Sequence, residues 1–218
     1  MTILIKIGGS LFKKSPTVLS KLCKIIYKLS KEYKIIVIPG GGGLADHIRI
    51  LQRKFEFSDN KSHWMAIMAM DINGMLISEE NKNFELVRTI PECKRSLNKK
   101  NIPIFLPYNF LKKINSLPEN WEVTSDSIAL VISHFLDTDY IILLKDVNGI
   151  YGSLTKKKII KEVSLSKIKH LKSTCIDSYL PSLVKKYKRE VYIVSGLYPE
   201  RIKKILKGEK TLYTKVIS

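Results

Sequence analysis

Two glycine-rich turns, and the charged residues near them, are the groups in this sequence best suited to chemistry. Lys6 stands two residues before Gly8-Gly9-Ser10, inside the apolar, β-branched run Thr2–Ile7. Small residues at a strand end leave backbone N–H groups open to an anion, and a lysine just upstream can reach the same anion. The bland alternative is a plain glycine turn beside a surface lysine. The second turn, Pro39 followed by Gly40, Gly41, Gly42 and Gly43, is the stronger signal. Four glycines ahead of a helix sacrifice backbone entropy, and close approach of the main chain to a phosphate at the helix N-terminus is the compensation expected. Neither G-x-G-x-x-G nor G-x-x-x-x-G-K-[ST] is present, so neither a dinucleotide fold nor a Walker loop is indicated. Two such turns imply two phosphate-bearing ligands, or one phosphate passed between them. Asp126, within Ser125-Asp126-Ser127, reads as a functional carboxylate or simply as an N-cap or first-turn acid. His47, His63, His134 and His170 lack metal-ligand spacing, and there is no G-x-S-x-G, so hydrolase readings are weak. Cys23, Cys93 and Cys175 form neither a disulfide framework nor a C-x-x-C pair, which fits a reducing cytoplasm.

These groups need elements that bring strand ends together. Thr2–Ile7 reads as a strand closed by the first glycine turn. Pro16 opens a helix running to about residue 31, with Val18, Leu19, Leu22, Ile25, Ile26 and Leu29 at helical spacing. Residues 35–38 form a wholly apolar strand leading into the four glycines, with a helix from Leu44 onward. Two strand–glycine–helix units in the first 55 residues predict a parallel sheet covered by helices. Residues 61–78 predict a helix that is apolar on more than one face, so it is buried against something besides its own sheet. A short strand falls in 103–107, and the loop 115–122 is the best internal boundary, dividing lobes 1–120 and 121–218. The second part restarts the pattern: a helix over 125–136, a strand over 140–144, a turn at Asn148-Gly149, and a strand-like stretch over 158–163. A helix over 178–188, a strand over 191–194, a short helix over 199–206 closed by Gly208, and a strand over 211–216 complete it.

The chain has 218 residues, 44% hydrophobic and 27% charged, which is ordinary globular composition for one large domain or two small lobes. Collagen, coiled coil and disordered tail are excluded. No apolar run approaches a membrane span and no signal peptide is read, so a cytoplasmic protein without a membrane partner is expected. The net charge of +18 is the outlier. Nucleic-acid binding is one reading. The lysines are spread over helices (Lys21, Lys24, Lys28, Lys31) rather than gathered in an Arg/aromatic patch, so a solvated basic surface is favoured and no nucleic-acid partner is expected. Such a surface still steers phosphorylated small molecules.

Taken in order, IKIGGSLF (5–12), IVIPGGGGLADHIR (36–49), VTSDSIA (123–129), LLKDVNGIY (143–151) and GEKTLYTKV (208–216) resemble the amino acid kinase family over essentially the whole chain. The resemblance implies a three-layer αβα sandwich with a mainly parallel sheet, an N-terminal half for the phosphoryl acceptor and a C-terminal half for ATP. It implies Lys6 on the transferring phosphoryl, and Gly8, Gly9 and Ser10 around the ATP phosphates. Asp126 is then the central aspartate, orienting Lys6 or holding Mg²⁺, and Asp146, Asn148, Gly149 and Tyr151 bind adenosine. Gly40, Gly41, Gly42, Arg49, His63, Asp71 and Thr124 are implied on the acceptor side. CIDSYLPSL (175–183) resembles the uridylate kinase and molybdenum-storage branch, in which an aspartate segment replaces the second phosphate-binding lysine of acetylglutamate kinase. Asp177 matches that segment, and Mg²⁺ is the expected replacement cation. SH-x-x-AI-x-x-MD (62–71), WEVTSDS (121–127) and PER (199–201) are similar to a group that phosphorylates [5-(aminomethyl)furan-3-yl]methyl phosphate to the diphosphate. An aminomethyl acceptor calls for a carboxylate, with Asp71 first, then Asp46 and Glu122. The apolar helix 61–78 and the resemblance together imply a homo-oligomer, a dimer or a hexamer. The alternatives are a uridylate-type nucleoside monophosphate kinase and a non-catalytic oxyanion-binding protein.

Overall fold

The computed structural model describes residues 1–114, 116–152, 158–168, 170–171 and 174–218. Its strands are β1 (Thr2–Ile7), β2 (Lys34–Pro39), β3 (Phe84–Val87), β4 (Ile102–Phe105), β5 (Tyr140–Lys145), β6 (Glu162–Ser164), β7 (Val191–Ser195) and β8 (Thr214–Ile217). The helices are α1 (Pro16–Leu29), α2 (Gly42–Phe55), α3 (Asp59–Ser78), α4 (Ile90–Asn98), α5 (Pro107–Ile114), α6 (Ser125–Leu136), α7 (Leu165–Ile168), α8 (Leu180–Tyr187) and α9 (Arg201–Leu206). The strands form one sheet in the order β3-β4-β2-β1-β5-β7-β8-β6. It is parallel except where β8 pairs antiparallel to β7, with β6 following β8. The proposed boundary near residue 120 therefore does not split the sheet, because β1 pairs with β5 across it.

Alternation along each strand feeds two separate cores. Ile3, Ile5 and Ile7 of β1, with Ile35 and Val37 of β2, pack against α1 and α9. Leu4, Ile36, Ile38, Ile141 and Leu143 face the other way, against α3, α5, α6 and α8. Burial on both faces explains why the central strands read as unbroken apolar runs rather than as alternating ones. The result is the expected three-layer αβα sandwich.

Several boundaries differ from the expectations. Helix α2 begins at Gly42 rather than Leu44, and α1 ends at Leu29. In the stretch 158–163 only Glu162 and Val163 belong to β6, while Ile159 makes a single bridge to Tyr151. The helices expected over 178–188 and 199–206 are confined to α8 and α9. β3, α4 and α5 were not expected. Residues 153–157 and Asn115 lie outside the described residues. No helix among the described residues is long and apolar enough to cross a membrane.

The arrangement gathers chemistry at one edge of the sheet. β1 and β5 are adjacent; from β1 the chain proceeds to β2 on one side, and from β5, by way of β6 at the far edge, to β7 on the other. In open parallel sheets this reversal opens a crevice beyond the carboxyl ends of the two strands.

Candidate active site

A cleft of about 390 Å³ lies at that reversal. Its walls are the turns after β1 and β2, the ends of β5 and α6, and one side of α2 and α3.

At its base two lysines share one carboxylate. Lys6 Nζ lies 2.8 Å from Asp126 Oδ1, and Lys145 Nζ lies 2.6 Å from Asp126 Oδ2. Strand parity aims both lysines the same way. Lys6 follows Leu4 on the α6 side of β1, and Lys145 follows Leu143 on the same side of β5. Asp126 meets them from the first turn of α6. It is not the N-cap of that helix, since Thr124 occupies that position and both Asp126 oxygens are engaged by lysines. Burial alone would raise the Asp126 carboxyl, but Lys145 and Lys6 outweigh it and hold the group at about 2. Burial pulls the Lys6 ammonium down to about 8, helped by Lys145 and opposed by Asp126. Lys145 is also desolvated, yet its contact with Asp126 prevails and its ammonium is raised. Lys145 was absent from the sequence-based candidates.

The two glycine turns touch one another. Gly8 N–H donates to Leu144 O at 2.8 Å, and Gly40 N–H to Ile7 O at 2.9 Å. A Cβ on Gly9 would lie 2.5 Å from Gly42 N, and one on Gly40 would lie 2.6 Å from Gly9 N. Gly42 adopts φ +57°, a conformation that favours glycine, as it opens α2. The buried Asn73 of α3 donates to Gly40 O at 2.7 Å and fixes the second turn. Gly8, Gly9, Ser10, Gly41 and Gly42 line the cleft, while Gly40 serves this packing and does not. Residues 9–13 wind into a short 3-10 helix. The first donors of that turn and of α2 have no partner within their own helix and border one space, whereas Thr124 N–H and Ser127 N–H at the start of α6 are taken by Asp177.

Asp177 locks the wall behind. It accepts from Thr124 N–H and Oγ1–H, Ser127 N–H and Oγ–H, and Leu180 N–H, all within 3.0 Å. Burial, together with the nearby Asp126 charge, raises its carboxyl despite these bonds.

At the far end, Arg49 stacks on the Trp121 ring at 3.8 Å, and Trp121 Nε1–H donates to Gln52 Oε1 at 2.6 Å. His63 is bonded through Nδ1 to Asn120 O at 3.1 Å, and burial lowers its pKa, so the neutral ring presents its other nitrogen as acceptor. The chain between α5 and α6 is thus strapped over α2 and α3. Asp46 lines this end, ion-paired with Lys13.

On the opposite side, Ser10 Oγ–H donates to Asp146 Oδ1 at 2.9 Å, which closes the first glycine turn against the loop after β5. Asp146 lines the cleft, whereas Asn148, Gly149 and Tyr151 lie farther along that loop. Asn148 is held by Arg201 at 2.6 Å, and Gly149 packs against Thr214.

Of the expected acceptor-side residues, Gly41, Gly42, Arg49, His63 and Thr124 border the cleft. Asp71 does not. It accepts from Tyr108 N–H at 3.4 Å and caps the start of α5, where burial raises its carboxyl to about 6. Glu122 is also absent from the wall, which leaves Asp46 as the carboxylate of the three that borders the cleft. Asp126 does not fit a metal: a divalent cation there would meet two ammoniums within bonding distance of the same carboxylate. No group of three or more His, Cys, Asp or Glu among the described residues is placed to hold one. The glycine turns, helix N-termini and ammoniums do fit a polyphosphate.

Over 214 residues the chain is 34% identical to [5-(aminomethyl)furan-3-yl]methyl phosphate kinase of Methanocaldococcus jannaschii, covering 98% of this chain and 97% of that one. It is 24% identical to the uridylate kinase of Archaeoglobus fulgidus, covering 96% and 97%. The crystal structure of uridylate kinase from Archaeoglobus fulgidus superposes with a TM-score of 0.77 over 99% of this chain and 100% of that one, at 19% identity. The UMP kinase of Bacillus anthracis superposes with a TM-score of 0.80 over 99% and 95%, at 16% identity. Residues 1–195 match the model of the amino acid kinase family, and the chain belongs to that family.

Proposed function

We propose that the chain is an ATP-dependent kinase that phosphorylates the phosphate of a small phosphomonoester, with [5-(aminomethyl)furan-3-yl]methyl phosphate as the acceptor. The observation that carries the reading is the pair of lysines on Asp126, set where two glycine turns meet. Phosphoryl transfer needs little covalent help from a protein: it needs two phosphates aligned and the charge between them neutralised. Gly8, Gly9 and Ser10 hold the ATP phosphates, and Asp146, Asn148, Gly149 and Tyr151 lead to the adenosine. Gly41 and Gly42, with Arg49, hold the acceptor phosphate for in-line attack, and Thr124 and His63 border it. The 1–120 part thus serves the acceptor and the 121–218 part the nucleotide, across one shared sheet. Lys6 neutralises charge on the transferring group. An ionised phosphate needs no general base, consistent with a cleft that lines up no histidine beside Asp126. The acceptor's ammonium meets Asp46 in place of the expected Asp71. Mg²⁺ enters as the counter-ion of the nucleotide's own phosphates rather than on a protein carboxylate.

Assembly is a homo-oligomer through α3, whose Met68, Ile72, Met75 and Leu76 are exposed while Trp64, Ile67 and Met70 are buried. The test of function is ADP release with the aminomethylfuran phosphate, isopentenyl phosphate, UMP, carbamate and no acceptor. Turnover fastest with the aminomethylfuran phosphate is expected. UMP as the best acceptor identifies a uridylate-type kinase instead, and release no faster than without acceptor leaves an oxyanion-binding protein.

A further inference from the structure

We infer that Trp121 is a specificity-determining residue: with the Arg49 guanidinium against its ring it forms a flat wall that admits a small planar ring on the acceptor and shuts out a nucleoside. The inference rests on the kinase reading and names the shape of acceptor that this cleft takes. Three observations carry it.

The first is the lining. Beyond the glycine turns the cleft is bordered by Ala66, Ile67, Met70, Val123 and Ile128, together with Trp121. Ile67, Met70, Val123 and Ile128 are buried. The hydroxyls of a sugar lose water against such a wall and gain no partner, whereas a flat unsaturated ring is buried there at little cost. The second is the state of the polar groups at this end. A nucleobase is selected by groups that hydrogen-bond its edge. The Gln52 amide is already engaged on both sides: Oε1 accepts from Trp121 Nε1–H at 2.6 Å, and Nε2 donates to Asp59 Oδ1 at 2.6 Å. His63 Nδ1 is engaged by Asn120 O. The third is fixation. Trp121 is tied to α2 through Gln52, and its two neighbours are anchored as well. Asn120 O meets His63 of α3, and Glu122 O accepts from Tyr179 N–H, just ahead of α8, at 3.3 Å. Asn120 also closes the turn on itself, with Oδ1 accepting from Glu122 N–H at 3.0 Å. The wall stands before a ligand arrives, and a bulky acceptor turns the indole aside only by breaking these bonds.

Arg49 fixes the distance between ring and phosphate. Its guanidinium lies 3.8 Å from the centre of the Trp121 ring, and the same side chain serves the acceptor phosphate in the proposed function. Guanidinium planes stack on aromatic faces, so a flat ring meets one continuous surface of indole and guanidinium. A ring on that surface lies close to its own ester oxygen. That is the geometry of an arylmethyl phosphate, in which a short linker joins ring and phosphate. A base held beyond a ribose is too far from its phosphate to use it.

The test measures kcat/KM at saturating ATP with the aminomethylfuran phosphate and with UMP, in wild type, Trp121→Ala and Trp121→Phe. Wild type is expected to favour the furan by about 10²-fold or more. In Trp121→Ala the furan falls about tenfold and UMP rises about tenfold, so the ratio drops about 10²-fold while ATP KM stays within threefold. A gain with UMP does not arise from a damaged fold. Trp121→Phe keeps a flat face and holds the ratio within tenfold of wild type. If Trp121→Ala does not fold, Gln52→Leu, which unties the indole without removing it, shifts the ratio the same way. A second readout needs no turnover. The chain has two tryptophans, so Trp64→Phe leaves Trp121 as the only one, and its emission changes on titration with the furan but not with UMP. A folded Trp121→Ala with the ratio within threefold of wild type overturns the inference, as does a wild type that uses UMP as well as the furan. An emission change without acceptor-dependent ADP release supports the ring slot and overturns the kinase reading alone.

Discussion

Asp126→Asn removes the charge between the two lysines while nearly preserving side-chain shape. The carboxyl stands at about 2 in the folded chain against an ordinary 3.8. That gap of nearly two pH units, at about 1.4 kcal/mol each, corresponds to about 2–3 kcal/mol of stability at pH 7. A folded value below the unfolded one means the contribution is fully present above about pH 4 and is lost as pH falls through 2. By the same relation about half remains at pH 3. Orphaning a buried ion pair commonly costs more, about 3–5 kcal/mol. Here burial has already pulled the Lys6 ammonium down to about 8, and loss of the Asp126 charge lowers it further. A lysine that gives up its proton more readily limits the cost of losing its partner, which keeps the loss near the lower figure. Urea unfolding at pH 7 and pH 3 therefore gives a difference between wild type and variant that shrinks about twofold at the lower pH. In the same preparation kcat falls by about 10²-fold or more, because both lysines lose the carboxylate that holds them. A stability difference equal at both pH values refutes the ionic account, and an unchanged kcat per folded molecule reduces Asp126 to a structural acid.

Four further outcomes follow from the same geometry. Lys6 needs its charge, and burial puts its ammonium at about 8 beside Lys145, Asp126 and Asp177, so kcat/KM falls about tenfold per pH unit above pH 8; a flat profile to pH 10 removes Lys6 from the mechanism. Trp121→Ala frees Arg49 and Gln52 and raises the acceptor KM about tenfold with ATP KM unchanged; an equal rise in both refutes an acceptor-side role. Met68→Lys with Ile72→Lys places charges in the exposed stripe of α3 and yields a single-chain mass by light scattering, whereas wild type gives a multiple of it; a monomeric wild type ends the assembly reading. DNA or RNA binding driven by the +18 charge is lost near physiological salt; sequence-selective binding at 200 mM salt contradicts a surface-only role.

The central strands were legible because burial on both faces writes itself as apolar runs, and the glycine turns because they interrupt those runs. β3, α4 and α5 were missed for being short and mixed, although α4 carried a cue. Thr89 and Glu92 stand at capping-box spacing, and Thr89 Oγ1 accepts from Glu92 N–H at 3.2 Å. Lys145 went unnoticed since a lysine after Leu144 resembles a strand running out into solvent. Parity held the signal: it shares a face with Leu143, as Lys6 does with Leu4. Asp71 stands one step around the helix from the cleft wall. Met70 borders the cleft and Asn73, three residues on, reaches the glycine turn, so Asp71 lies about 100° away, against α5.

The glycine runs show why function was more legible than its molecular cause. Their entropy cost was read as room for phosphate, and three of them also lie close against neighbouring backbone. Gly8 lies against Leu144, Gly9 against Gly42, and Gly40 against Gly9, whereas a Cβ on Gly43 meets nothing within 4 Å. The glycines let two turns from adjacent strands press together. That contact serves function indirectly, because each turn opens a helix whose exposed N–H groups face the same cleft. In the proposed function a phosphate on each turn is then held next to its counterpart, with Asp126 and its two lysines beneath. Side chains at Gly9 or Gly40 would force the turns apart and lengthen the distance across which a phosphoryl group must pass, even if each turn still bound its own phosphate.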